Sequence, residues 1–147
     1  AATSAVGILC SQYLGATVDS PVVTGGVKYL MGNLPDKHKN NSYYYYYATQ
    51  VMHNVPGSDW DAWNRIMRKQ LIESQVKSGC ASGSWDPAGD QCAKEGGRIM
   101  ATSLNCLTLE IYYRYLPLYQ MDGKKPAAKK APAKKKAPAK KPAAKKD

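Results

Sequence analysis

The side chains of this chain that could do chemistry are few: two histidines, four cysteines, eleven tyrosines and some closely spaced carboxylates. His38 falls in the polar run Asp36 to Asn41 and His53 at the end of an apolar segment, so neither is placed to activate a nucleophile. The phosphate-cradling, zinc-protease and nucleophile-elbow motifs are absent. Cys10, Cys80, Cys92 and Cys106 fit no zinc spacing. Cys10 and Cys106 sit in apolar helical runs, where a thiol is expected to be a small buried side chain. Cys80 and Cys92 flank one loop and could pair in an oxidising compartment. No catalytic residue, metal ligand or cofactor site emerges.

The run Tyr43-Tyr44-Tyr45-Tyr46-Tyr47 is the best remaining candidate. On a helix five consecutive tyrosines point in every direction. Two or three must pack in the shell, and one or two should reach a central cavity. Aromatic walls suit an apolar ligand, and their π faces stabilise positive charge. The ligand-lining candidates are therefore Tyr43, Tyr44, Tyr46 and Tyr47, joined by Trp85, Arg98 and Tyr112. Simple packing between layers is the competing account of all of them.

These side chains must be carried by helices. Residues 2–14 place Val6, Leu9, Cys10 and Tyr13 at helical spacing and stop at Gly15. Ser20 and Pro21 open a second helix, to residue 34. Five tyrosines favour a strand on propensity. The helical spacing continues through Ala48 to Val55, however, so residues 43–55 are expected to be helical. Ser58 to Asp61 has the form of a capping box ahead of a fourth helix, to residue 77. There Asp61 with Arg65, and Glu73 with Lys77, have the favourable i,i+4 order. After a long glycine-rich loop, residues 98–116 form the last helix, stopped by Pro117. Helices 2–14, 43–55 and 98–116 are apolar most of the way round, whereas 20–34 and 58–77 carry one wet face. Ala2-Thr3-Ser4 returns as Ala48-Thr49-Gln50 and Ala101-Thr102-Ser103, at intervals of 46 and 53 residues, as in a helical repeat array.

The net charge of +10 belongs to one end. Residues 124–147 hold eleven lysines and one aspartate, and the remainder holds ten cationic and ten anionic side chains. Residues 1–123 are thus neutral, and about residues 1–119 are expected to be the folded part. Residues 120–147 are expected to be a disordered Lys/Ala/Pro-rich tail, able to bind nucleic acid or another polyanion. No apolar run is long enough to span a membrane. The chain opens at Ala1, already inside a repeat, and is expected to be the C-terminal part of something longer or a processed product.

Gln75, followed by Gly83-Ser84-Trp85, resembles the QW repeat of squalene and oxidosqualene cyclases. The stretch from Gly96 to Glu110 resembles an inner helix of the prenyltransferase and squalene-oxidase repeat superfamily. YYYYYATQVMH, GSWDP and TSLNCLTLEIYYRYLPLY are similar to segments of bacterial repeat proteins typical of planctomycetes. The resemblance covers about residues 2–119. It implies an all-α fold, a partial α/α toroid of alternating inner and outer helices. It also implies that Gln75, Gly83 and Trp85 are structural repeat residues, and that an apolar ligand would be isoprenoid-like. The cyclases protonate an alkene with an Asp-x-Asp-Asp cluster. This chain offers Asp59-Trp60-Asp61-Ala62 at a helix start, where acids belong for dipole reasons. The prenyltransferases hold zinc with Asp, Cys and a later His. Asp90 and Cys92 have the first spacing, but no His follows.

Three functions are consistent with these residues. The first is a toroid module binding an apolar ligand or a protein partner. The second is a terpenoid cyclase with its acid upstream of this segment. The third is an interaction protein acting through its tail.

Overall fold

The computed structural model describes residues 1–36, 38 and 40–111. They form five helices and, among the described residues, no strand: α1 (Ala2–Tyr13), α2 (Pro21–Met31), α3 (Ser42–His53), α4 (Ser58–Ser74) and α5 (Ala93–Glu110). The tyrosine run is helical, as its continuing periodicity demanded. The tail, Tyr112 and the expected end of the last helix lie outside the described residues.

α3 is the hub, packed against all four other helices, with α1 and α5 on its two flanks. Hydrogen bonds fix the directions. Near their C-terminal ends, Gln12 of α1 donates to the carbonyl of Val51 at 3.3 Å and accepts from Asn54 at 3.1 Å. At the opposite end, Asp90 joins the N-termini of α3 and α5. α1, α3 and α5 are therefore parallel. α4 runs the other way, for Trp63 donates to Thr49 Oγ1 at 3.0 Å while Gln70 reaches back to the Tyr45 hydroxyl. α2 is likewise antiparallel, since its C-terminal neighbour Asn33 meets Tyr44 near the start of α3.

The core is one contiguous cluster running from Ala5, Leu9 and Leu30 through Tyr45, Val51 and Met52 to Trp63, Met67, Leu71 and Trp85. Burial of such side chains, at about 25 cal/mol per Å² of apolar surface, is the main term holding the helices together. α2 approaches α1 closely at Gly26, where an added Cβ would lie 2.7 Å from Ile8. Gly97, at φ 66, breaks α5, so that its long part begins at Arg98.

Several local expectations fail for identifiable reasons. Ser20 stands at the N-cap of α2, but its hydroxyl donates back to the Thr17 carbonyl at 2.8 Å and caps nothing. The capping box at Ser58 does not form; Gly57, at φ 139, holds the N-cap instead. Among the described residues the ion pairs are Lys69–Glu73 and Arg98–Asp86 rather than the expected pairs on α4. α4 ends at Ser74, which leaves Lys77 outside the helix. The Ala-Thr-Ser repeat also misplaces α1. Ala48 and Ala101 are buried, whereas Ala2 is only half-buried and Ala5 takes the buried place. Aligned on burial, Ala5, Ala48 and Ala101 correspond, and so do Leu9, Met52 and Asn105. Asn105 is fully buried with neither side-chain polar atom partnered, and nothing in the structure explains it.

The three greasy helices are not equally enclosed. α3 is buried on most sides, but among the described residues α1 packs on α2 and α3, and α5 chiefly on α3, which leaves more of these two uncovered. Cys10 and Cys106, expected to be buried, are consequently exposed. Leu14 at 89% and Ile99 at 82% exposure lie on the same two helices or their ends.

Candidate functional site

α3 sorts its tyrosines by helical phase. Tyr44 and Tyr45 point toward the other layer and are buried, whereas Tyr43, Tyr46 and Tyr47 are half-buried on the face turned away from α4. Tyr44 was expected to line a ligand; instead its ring packs edge-on to Trp63 and its hydroxyl donates to the Asn33 carbonyl at 2.8 Å. The Tyr45 hydroxyl donates to the Asp36 carbonyl at 3.1 Å and accepts from Gln70 at 3.0 Å and from the Asp36 N–H at 3.3 Å. Both phenols tie the α2–α3 connection to the core. Burial pushes the pKa of each upward. The sequence reading passed over Tyr45, the most buried of the five, because only the helical phase set by α4 distinguishes it.

The other three rings form a continuous aromatic surface. Tyr43 and Tyr47 have centroids 4.7 Å apart, and Tyr46 stands edge-on to Tyr47 at 5.1 Å. The neighbouring Tyr43 hydroxyl raises the pKa of Tyr47, with burial a smaller cause. Tyr13 extends the surface by donating to Gln50 Oε1 at 3.2 Å. On α5, Ala101, Asn105 and Thr108 are buried, while Arg98 and Thr102 point to the 84–86 loop. By helical spacing Met100, Leu104 and Leu107, all half-buried, occupy the opposite flank, on the same side as the open tyrosines.

The parts of this face that α1 and α3 supply carry no Asp, Glu, Lys or Arg. α1 has no ionisable residue besides its cysteine and tyrosine, and α3 none besides His53 and its tyrosines. Among the described residues the charged side chains lie on α4, on the loops, at Lys28 of α2 and at Lys94, Glu95, Arg98 and Glu110 of α5. His53 packs edge-on against Trp60 with centroids 5.0 Å apart, and burial lowers its pKa. An uncharged, aromatic and aliphatic surface holds ligands by burial and ring contacts.

Two other expected ligand-lining residues belong elsewhere. Arg98 anchors the loop: it donates to Ser84 Oγ at 3.0 Å and pairs with Asp86 at 3.6 Å. Trp85 is buried at the end of α4, its indole N–H donating to the Leu71 carbonyl at 2.9 Å. Its backbone N–H donates to Thr102 Oγ1 of α5 at 3.3 Å. Gln75 donates to the Gly83 carbonyl at 2.9 Å, and backbone bonds pair Val76 with Gly83 and Ser84. The Gln75, Gly83 and Trp85 constellation thus closes the α4–α5 connection, supplies one of the carbonyl partners that a helix end lacks and docks the loop on α5. Trp85 also borders a groove of about 780 Å³ beside α4, among Asp36, Gln70 and Glu73, on the other side of the molecule from the open tyrosines.

The acidic candidates are structural by geometry. Asp59 and Asp61 sit exposed in the first turn of α4, where they favour the helix dipole. Asp90 is fully buried, and both its oxygens are engaged. One accepts from the N–H groups of Cys92 and Ala93, each at 2.9 Å; the other accepts from the Ser42 N–H at 2.7 Å and its hydroxyl. One carboxylate thereby satisfies the starts of α3 and α5 together. The sequence signal for this was only an acid just ahead of an apolar run, and its second helix lies 48 residues away. Asn41 completes the α3 cap by accepting from the Tyr44 N–H at 2.8 Å. Cys80 and Cys92 are both free thiols.

No family model, curated protein or solved structure matches the chain.

Proposed function

We propose that the chain is a segment of an α/α toroid similar to the squalene cyclase and prenyltransferase repeats, and that its open inner face binds an apolar, isoprenoid-like ligand. Three parallel helices in a row, with antiparallel helices behind them, are the arrangement such a wall requires. The Gln75–Gly83–Trp85 closure has the form expected of a structural repeat motif. The observation that carries the ligand is the uncharged surface of Tyr43, Tyr46 and Tyr47, flanked by aliphatic side chains of α5. Such a surface lowers its free energy by about 25 cal/mol for each Å² of apolar area that a ligand covers. It holds no acid to protonate an alkene, so the reading is one of binding and assigns no reaction.

The test is equilibrium binding of radiolabelled farnesol to the full chain. Saturable binding is expected, weakened about tenfold by Tyr47→Ala, a loss of about 1.4 kcal/mol. Substitution of Lys69, on the opposite side, should leave affinity unchanged. Binding that never saturates, or that ignores Tyr43, Tyr46 and Tyr47 alike, refutes the proposal.

A further inference from the structure

The cationic side chains of the tail have a spacing that charge counts conceal. They come in five clusters, Lys124-Lys125, Lys129-Lys130, Lys134-Lys135-Lys136, Lys140-Lys141 and Lys145-Lys146. Between clusters stand three residues drawn only from Pro and Ala, with one proline in every spacer. Clusters therefore begin every five or six residues. The tail has no apolar side chain larger than Pro, no aromatic ring and no amide. It is built to meet repeated negative charge along a line, and it lacks the groups that read bases or insert into lipid.

We propose that residues 124–147 bind duplex nucleic acid through its phosphates, without regard to sequence. Duplex nucleic acid carries one charge per ~1.7 Å of axis, so it offers phosphates to every cluster along the stretch. Lysine binds phosphate as a point charge and needs no fixed fork geometry, which suits contacts independent of base identity. Residues 1–123 contribute no net charge. Affinity should therefore reside in the tail and fall with salt as counterions are released.

The experiment measures binding of the full chain to labelled duplexes of about 25 base pairs, one rich in A·T and one in G·C, across a salt series. Equal affinity for the two within about twofold is expected, with a loss of roughly a thousandfold between 50 and 200 mM salt if six or more phosphates are neutralised. A full-length variant with all eleven lysines replaced by Gln should lose binding, and one with all replaced by Arg should keep it. Circular dichroism should show the same helix content in each. Undiminished binding by the Gln variant, or a salt slope near zero, overturns the proposal. So does tighter binding to phosphatidylserine vesicles than to duplex at equal phosphate concentration, which would make the ligand a membrane surface.

Discussion

Tyr45 and Tyr46 are chemically identical neighbours on one helix, and they lead opposite lives. Tyr45 is 1% exposed with its hydroxyl hydrogen-bonded to Asp36 and Gln70, whereas Tyr46 is half-buried with its ring edge-on to that of Tyr47. The difference comes from rotation about the helix axis, 100° per residue, and from which flanks of α3 have neighbours. One side of the row formed by α1, α3 and α5 is closed by α2 and α4, and there every polar group needs a partner. Among the described residues the other side is open, and there the tyrosine rings pack against one another and stay half-buried. The buried tyrosines hold the fold together; the open ones form the surface on which the proposed ligand would lie.

The largest test of this contrast is truncation. Tyr45→Ala should destabilise the chain by about 3–5 kcal/mol in urea denaturation, the range for an aromatic ring removed from a core. Tyr46→Ala should cost less than about 1 kcal/mol, since much of its ring is already in contact with water. Similar losses for the two would mean that α3 is enclosed on all sides and that no open face exists.

A second test gains stability. Asn105 occupies on α5 the buried place that Leu9 and Met52 fill on α1 and α3, but neither of its polar atoms has a partner. Asn105→Leu should stabilise the chain by about 1–3 kcal/mol by removing that desolvation penalty. A loss on this substitution would show that the amide is satisfied in solution, and that the rule for the closed side fails at α5.

The hydroxyls separate the two sides more finely. Tyr45→Phe abolishes bonds to the 34–41 connection and leaves Gln70 without this acceptor, a cost of about 1–2 kcal/mol. Tyr46→Phe should change stability by less than about 0.5 kcal/mol. The same contrast appears in alkali. Tyr44 and Tyr45 have pKa values raised by burial, so above pH 10 the unfolded chain loses these protons before the folded one does. Their contribution is intact below pH 10 and is lost as pH climbs toward the folded-state values. Denaturation midpoints should fall above pH 10 in the parent chain and fall less steeply in the Tyr44→Phe and Tyr45→Phe double variant.

Much of this architecture is legible in residue order. Helical periodicity through Ala48 to Val55 overrides the strand propensity of the tyrosines, and Gly97 before Arg98 marks the start of the long part of α5. What stays hidden depends on partners distant in the chain. Asp90 looks like half a metal site until Ser42 and Ala93 are brought to its two oxygens. Ser20 and Ser58 look like caps, but a nearby carbonyl takes one hydroxyl and Gly57 takes the position of the other. The Ala-Thr-Ser triplet misleads on α1 because small residues fit a buried and an open position equally well. Cys10 and Cys106 lie in apolar runs, but a run at the edge of a row has a neighbour on one side only, and no window of sequence reveals where a row ends.

The smallest expected effect concerns the open side itself. The Tyr43 and Tyr47 rings stand 4.7 Å apart, and the Tyr43 hydroxyl raises the pKa of Tyr47. In a double-mutant cycle with Phe at each position the ring contact survives, so the cycle isolates the hydroxyl pair. Water competes for both groups, and the coupling should be about 0.3 kcal/mol, well below the 1 kcal/mol typical of an intramolecular hydrogen bond. Repeated with Ala at both positions, the cycle includes the ring contact and should rise toward the 0.5–1.5 kcal/mol range of aromatic pairs. If bound farnesol covers this surface, it excludes the competing water, and the Phe cycle measured on ligand affinity should exceed the one measured on stability. Equal coupling in the two measurements would place the ligand away from Tyr43 and Tyr47 even if it binds the chain tightly.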